Sequence, residues 1–139
     1  MDRVEDCISF LMGKAMQQIT KQAREKLAPF GVTPPQYAVL KVLWEHDGTS
    51  GAEITARLRI DSATITGLID RLEDAKLLER RGDRQDRRVH RLYLTPRGHA
   101  LQDPLDDVMT GFNRDASDFM GPDAEAVMHW LGRVGNVSR

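Results

Sequence analysis

Cysteine is almost missing from this chain: Cys7 is the only one in 139 residues. A single thiol excludes an internal disulfide framework and any multi-cysteine zinc site. Long apolar runs are missing too, and none approaches the length that crosses a bilayer. The opening residues include Asp2, Glu5 and Asp6, the wrong charge for a signal peptide. A soluble, cytoplasmic chain with no membrane partner is expected. Recognisable catalytic patterns are lacking as well. His46, His90, His99 and His129 are dispersed, with no His-x-x-x-His or His-Glu pairing. There is no glycine-rich phosphate loop, no Gly-x-Ser-x-Gly and no carboxylate cluster in an apolar segment. No enzyme, no metal and no cofactor are expected. What remains is ordinary globular material: 40% hydrophobic and 29% charged residues, too apolar for a disordered chain.

Charge is balanced in total, at −1, but not along the chain. Between Lys76 and Arg97 stand eight basic residues against three acidic ones. From Gly98 to the end there are three basic residues against seven acidic. Asymmetry of this kind reports on partners rather than fold, and a short cationic segment points to a localised anion-binding surface.

Apolar spacing predicts a long amphipathic helix from about Val4 to Leu27, carrying Val4, Ile8, Leu11, Ala15 and Ile19. Its stripe is wide for a helix at the end of a small chain. Such a helix needs a partner surface, and a second subunit is one source. Thr33-Pro34-Pro35-Gln36 is a capping box with proline at the first helical position, and predicts a helix running to about Asp47. Ser50-Gly51-Ala52-Glu53 repeats the capping-box spacing and predicts a short helix, about Ala52 to Leu58. After the break Arg59-Ile60-Asp61, Asp61 caps a longer helix from Ser62 to about Ala75. Leu78 to Arg81 and Val89 to Leu94 read as two strands around a polar turn. Thr95-Pro96 starts another helix, read as continuous from Arg97 to about Met120, with Pro104 and Gly111 set against its being straight. A last helix follows Gly121-Pro122-Asp123. The order is helix, helix, helix–turn–helix, β-hairpin, helix, helix. The expected fold is mainly α with a small β-hairpin wing (α+β): a winged helix-turn-helix between terminal helices.

In a helix-turn-helix the second helix enters the DNA major groove, and its N-terminal side chains meet base edges. Here those are Ser62, Ala63, Thr64, Thr66 and Gly67, with Asp70 and Arg71 a turn further on. Small hydroxyl residues allow close approach, and Ala63 or a threonine methyl suits a thymine methyl. A capped helix pair with no ligand would look similar. The hairpin turn favours DNA: Arg80, Arg81, Arg84, Arg87 and Arg88 cluster there, and arginine suits phosphate and narrow minor grooves. Asp83 and Asp86 stand among them, placed to hold particular guanidinium groups.

Three stretches resemble the MarR family of bacterial transcription regulators: Val32-Thr33-Pro34-Pro35-Gln36-Tyr37, the run Ser62 to Glu73, and Asp86-Arg87-Arg88-Val89 followed by Leu94-Thr95-Pro96-Arg97-Gly98. The resemblance implies a winged-helix homodimer on double-stranded operator DNA, with recognition helices in successive major grooves and wings in the flanking minor grooves. It implies an N-terminal dimerisation helix at 1–31, a DNA-binding domain at 32–98 (helix-turn-helix 52–76, wing 78–94) and C-terminal dimerisation helices at 99–139. The family's Asp-x-Arg wing pattern falls on Asp86 and Arg88: Arg88 as the minor-groove contact, Asp86 orienting it, Arg84 and Arg87 as further wing residues. The implied function is a repressor released by a small ligand, an aromatic or phenolic acid or an acyl-coenzyme A, bound in a crevice between dimer helices and winged domain. Met12, Met16, Tyr37, Trp44 and Phe112 are the candidate lining, and Arg24 or His99 a candidate carboxylate partner. Such residues are also ordinary core.

Two other readings stay open. One branch of the family senses organic peroxides through a first-helix cysteine with tyrosines near it. Alignment puts that position nearer Ser9 than Cys7, and the first helix has no tyrosine. Cys7 also stands beside Glu5 and Asp6, acidic neighbours rather than the cationic ones that favour a reactive thiol. The other is a winged helix used only for protein contacts, which would lack the steep salt dependence of DNA binding.

Overall fold

The computed structural model describes residues 2–137; Arg139, counted above in the charge of the C-terminal stretch, lies outside them. The helix predicted from Val4 starts later. Val4–Asp6 forms a single 3-10 turn, Cys7 is extended, and α1 spans Ile8–Leu27. Among the described residues none before Ala23 is buried. A second 3-10 turn, Ala28–Phe30, ends at Gly31 in the left-handed conformation.

α2 covers Pro34–Glu45 and α3 covers Gly51–Leu58. Both begin with the reciprocal capping box expected from sequence, Thr33 with Gln36 and Ser50 with Glu53. Arg59 closes α3 in the left-handed region, and α4 follows at Ser62–Asp74. The antiparallel hairpin is β1, Leu78–Gly82, with β2, His90–Leu94, in register Leu78↔Leu94 and Arg80↔Leu92. Residues 48–50 also pair with β2: Gly48 N–H donates to Leu92 O at 2.9 Å, and Leu92 N–H to Thr49 O at 3.1 Å. This short third edge has no alternating apolar pattern, and the sequence reading missed it.

The helix expected from Arg97 to Met120 is two helices, α5 at Pro96–Ala100 and α6 at Gln102–Met120. Pro104 explains the break. It has no N–H for the carbonyl of Ala100, and its ring would crowd that carbonyl. α5 then lies against the α4–β1 turn so closely that a β-carbon on Gly98 would stand 2.0 Å from Leu77 O. Only glycine fits that approach. α7 runs Ala124–Val134.

One core unites these elements. Leu40, Leu43, Ile54, Ile65, Leu72, Leu78, Leu92 and Leu105 are all fully buried. It is therefore built from α2, α3, α4 and the hairpin, with Leu27 and Leu105 plugging in from α1 and α6. The outer parts of the terminal helices contribute nothing to it. α7 buries no residue, and Ile8, Leu11, Met16, Ile19, Met128, Leu131 and Val134 are exposed.

Candidate nucleic-acid interface

The second helix of the helix-turn-helix, α4, turns Ile65, Leu68, Ile69 and Leu72 inward. That leaves Ser62, Ala63, Thr64, Thr66, Asp70 and Arg71 exposed and Gly67 half-buried. All the sequence-predicted contact residues of this helix are therefore accessible. Their chemistry is narrower than sequence suggested. Asp61 accepts the Thr64 backbone N–H at 2.9 Å and the Thr64 hydroxyl at 2.7 Å. Thr66 donates its hydroxyl to Ser62 O at 2.8 Å. Both threonines thus spend their hydroxyl protons within the chain and offer methyls and lone pairs outward. The two Thr64 contacts, the side-chain hydroxyl bond first, hold the Asp61 carboxyl below its ordinary pKa. The Arg71 side chain lies back along the helix, with Nη1 within 3.9 Å of where a Gly67 β-carbon would be.

The hairpin sorts its arginines into two groups. Three are committed. Arg80 pairs with Asp70 and Glu73 of α4. Arg81 pairs with Glu79 and lies 4.4 Å over the Tyr93 ring. Arg91, which sequence reading left out of the site, donates Nε to Asp83 at 2.7 Å and Nη1 to Gly48 O at 3.0 Å, tying the wing to the 48–50 edge. The Gln85 backbone N–H, then the Arg91 guanidinium, hold the Asp83 carboxyl below its usual range. The other group stands at the tip. Arg84 and Arg87 are exposed. The Arg88 side chain is 91% exposed, and its Nε donates to Asp86 Oδ1 at 3.2 Å. Asp86 Oδ1 also accepts the Arg88 backbone N–H at 3.0 Å. A carboxylate that grips both backbone and guanidinium of the residue two positions on limits the directions in which that guanidinium projects.

The candidate ligand-lining residues divide as well. Tyr37 and Trp44 meet edge-to-face at 5.9 Å and pack on the core. Their polar ends are satisfied within the chain. Tyr37 donates its hydroxyl to Asp106 Oδ1 at 2.9 Å, and Trp44 Nε1 donates to Gly98 O at 3.0 Å. Burial, then Asp106, pushes the Tyr37 hydroxyl pKa up. Lys41 joins the cluster at 2.8 Å from Asp106 Oδ2, so a carboxylate on α6 clasps two side chains of α2. Met12 and Phe112 are half-buried on α1 and α6, helices that pack together, whereas Met16 is exposed. Of the suggested carboxylate partners, Arg24 is exposed and His99 lies 3.6 Å from Asp47. Cys7 is half-buried at the start of α1. Both tyrosines of the chain are engaged elsewhere, Tyr37 with Asp106 and Tyr93 beneath Arg81. Among the described residues no helix is long and apolar enough to cross a membrane, and no group of three or more His, Cys, Asp or Glu is placed to hold a metal ion.

A helix-turn-helix with an open, small-residue recognition face and an arginine-tipped hairpin defines a winged-helix DNA-binding chain. Comparison with known proteins agrees. The family model described as "MarR family" matches residues 32–90. The HTH-type transcriptional regulator TtmR of Methylorubrum extorquens (strain PA1) is 38% identical over 114 residues, covering 78% of this chain and 58% of that protein. The organic hydroperoxide resistance transcriptional regulator of Bacillus subtilis (strain 168) is 30% identical over 106 residues, 76% of this chain and 72% of that protein. A probable transcriptional regulator from Pseudomonas aeruginosa superposes with a TM-score of 0.86 at 27% identity, covering 95% of this chain and 99% of that one. The chain belongs to the MarR family. The family and these relatives are DNA-binding transcriptional regulators, not enzymes, and the chain spans 58% of the length of TtmR.

Proposed function

We propose that this chain acts as a homodimeric, sequence-specific repressor, with α4 in the major groove, the wing tip in the minor groove, and release by a small aromatic or phenolic acid or an acyl-coenzyme A. The observation that carries the DNA reading is the Arg88 guanidinium, projecting from the wing and held at its base by Asp86. Ser62, Ala63, Thr64, Thr66, Gly67 and Arg71 supply the major-groove face, and Arg84, Asp86 and Arg87 complete the wing contact. The exposed apolar residues of α1 and α7 support dimerisation, because patches of this kind mark interaction surfaces. A two-fold dimer reads half-sites about 34–36 Å apart. A ligand acting where α2 meets α6 would change the spacing of the two reading heads, with a coupling of order 1–3 kcal/mol. Met12, Tyr37, Trp44 and Phe112 line that junction in this reading; Met16, being exposed, faces the partner subunit or solvent.

Arg88→Ala tests the reading. We expect operator affinity to fall at least about tenfold with the dimer intact, since one guanidinium is lost from each wing. Mobility-shift titration against duplex from upstream of the gene, with sedimentation to follow the dimer, measures both. Unchanged affinity removes Arg88 from the interface.

A further inference from the structure

Arg80 differs from the other arginines of the hairpin in where it points. Only 27% of its side chain is exposed, although it belongs to the most basic stretch of the chain. It occupies the third position of β1, opposite the buried Leu92, so its backbone is anchored on the core. Its guanidinium turns away from the wing tip toward the recognition helix. Nη1 donates to Glu73 Oε1 at 2.7 Å and Nη2 donates to Asp70. Glu73 Oε2 also accepts the Arg80 backbone N–H at 3.0 Å. One strand residue therefore holds two carboxylates of α4 through three hydrogen bonds. A guanidinium fork shared between two carboxylates fixes direction as well as distance.

Asp70 explains what that arrangement achieves. It lies four residues beyond Thr66 and eight beyond Ser62, on the same exposed stripe of α4. A free carboxylate there would face the phosphates that flank a major groove, where like charges repel over several ångströms. Arg80 reaches Asp70 from behind and supplies the counter-charge.

We propose that Arg80 is a positioning residue for DNA binding: it cancels the Asp70 charge and locks α4 to the wing, and it does not itself contact phosphate. The proposal rests on the reading of α4 as the DNA-reading helix. It distinguishes Arg80 from Arg84, Arg87 and Arg88, with which it is grouped by sequence alone.

The probe is a duplex that the wild-type protein selects from a random-sequence pool, with a scrambled duplex as the non-specific reference. If the wild type selects nothing, the DNA reading itself fails, and that is seen before any variant is made. With a selected duplex in hand, Arg80→Gln should weaken binding on the order of tenfold. The slope of log affinity against log salt should be that of the wild type once Asp70→Asn removes the unmasked charge. Adding Asp70→Asn to Arg80→Gln should restore most of the loss, because the unmasked charge is gone. Asp70→Asn alone should bind as well as wild type or better. A slope shallower by about 0.9 for each protomer, with no recovery on adding Asp70→Asn, would make Arg80 a phosphate ligand and overturn the proposal. Wild-type affinity in Arg80→Gln would overturn it too. Should Arg80→Gln fail to fold, Arg80→Met carries the same test, since it also removes the charge and keeps an unbranched stem. A several-fold loss, recovered together with the wild-type salt slope by Asp70→Asn, supports the proposal; a loss without recovery, or no loss, overturns it.

Discussion

The winged segment and the terminal helices treat apolar surface in opposite ways. Between Leu27 and Leu105 the winged segment draws sixteen buried hydrophobic residues into one cluster. The outer helices carry as clear a helical stripe, yet α7 buries nothing and Phe119 near the end of α6 is 93% exposed. Amphipathic pattern alone therefore does not say what a stripe packs on. In the winged segment four elements close on each other within one chain. In the terminal helices the stripe is left over, and burying it needs a surface from outside the protomer.

Substitution at equivalent leucines separates the two regions. Leu43 is fully buried, and Leu43→Ala should cost about 2–5 kcal/mol in urea unfolding. A loss below about 1 kcal/mol would mean that the core is not held as tightly as its burial indicates. Leu131 sits on the exposed face of α7. Leu131→Glu should leave the unfolding of the winged segment within about 0.5 kcal/mol of wild type. It should weaken self-association by roughly a hundredfold, the scale of losing one interface hot spot. Sedimentation equilibrium reads this directly, and an unchanged mass across dilution would remove α7 from the interface.

Acid and alkali should act at different places, with a smaller effect. Asp83 and Asp61 have carboxyl pKa values held below the ordinary carboxylate range. Their contributions are thus complete above about pH 4 and fade as pH falls through the lower folded values. The wing tip and the start of α4 should lose amide-exchange protection in acid before the core does. Tyr37 is shifted the other way, so its link to Asp106 is complete below about pH 10 and fades as pH rises through the folded value. The Tyr37 link between α2 and α6 should therefore loosen in alkali, visible as a change in Trp44 fluorescence. Loss of wing and α2–α6 contacts at the same pH would show that the two junctions are not independent.

Much of this architecture was legible in the chain. The capping boxes at Thr33 and Ser50, and the Asp61 cap, are local in sequence, so residues three apart announce them. The pairing of Asp86 with Arg88 is local for the same reason. Pro104 was visible as a perturbation, and it splits the expected helix into α5 and α6 because it offers no N–H to the carbonyl of Ala100. The bonds from Tyr37 and Lys41 to Asp106, and from Arg91 to Gly48, span 69, 65 and 43 residues. No spacing rule connects residues so far apart.

Sequence alone determined the run of helices and strands from Thr33 to the hairpin, the caps, the exposed face of α4 and the concentration of arginine at the hairpin, because periodicity and capping act within a few residues. Tertiary structure alone decided which arginines remain free. Arg80 and Arg91 are drawn inward by carboxylates and a carbonyl that folding brings to them, whereas Arg88 keeps only a neighbour two residues away. A charge's availability depends on what stands around it in space, and that is a property of the folded chain.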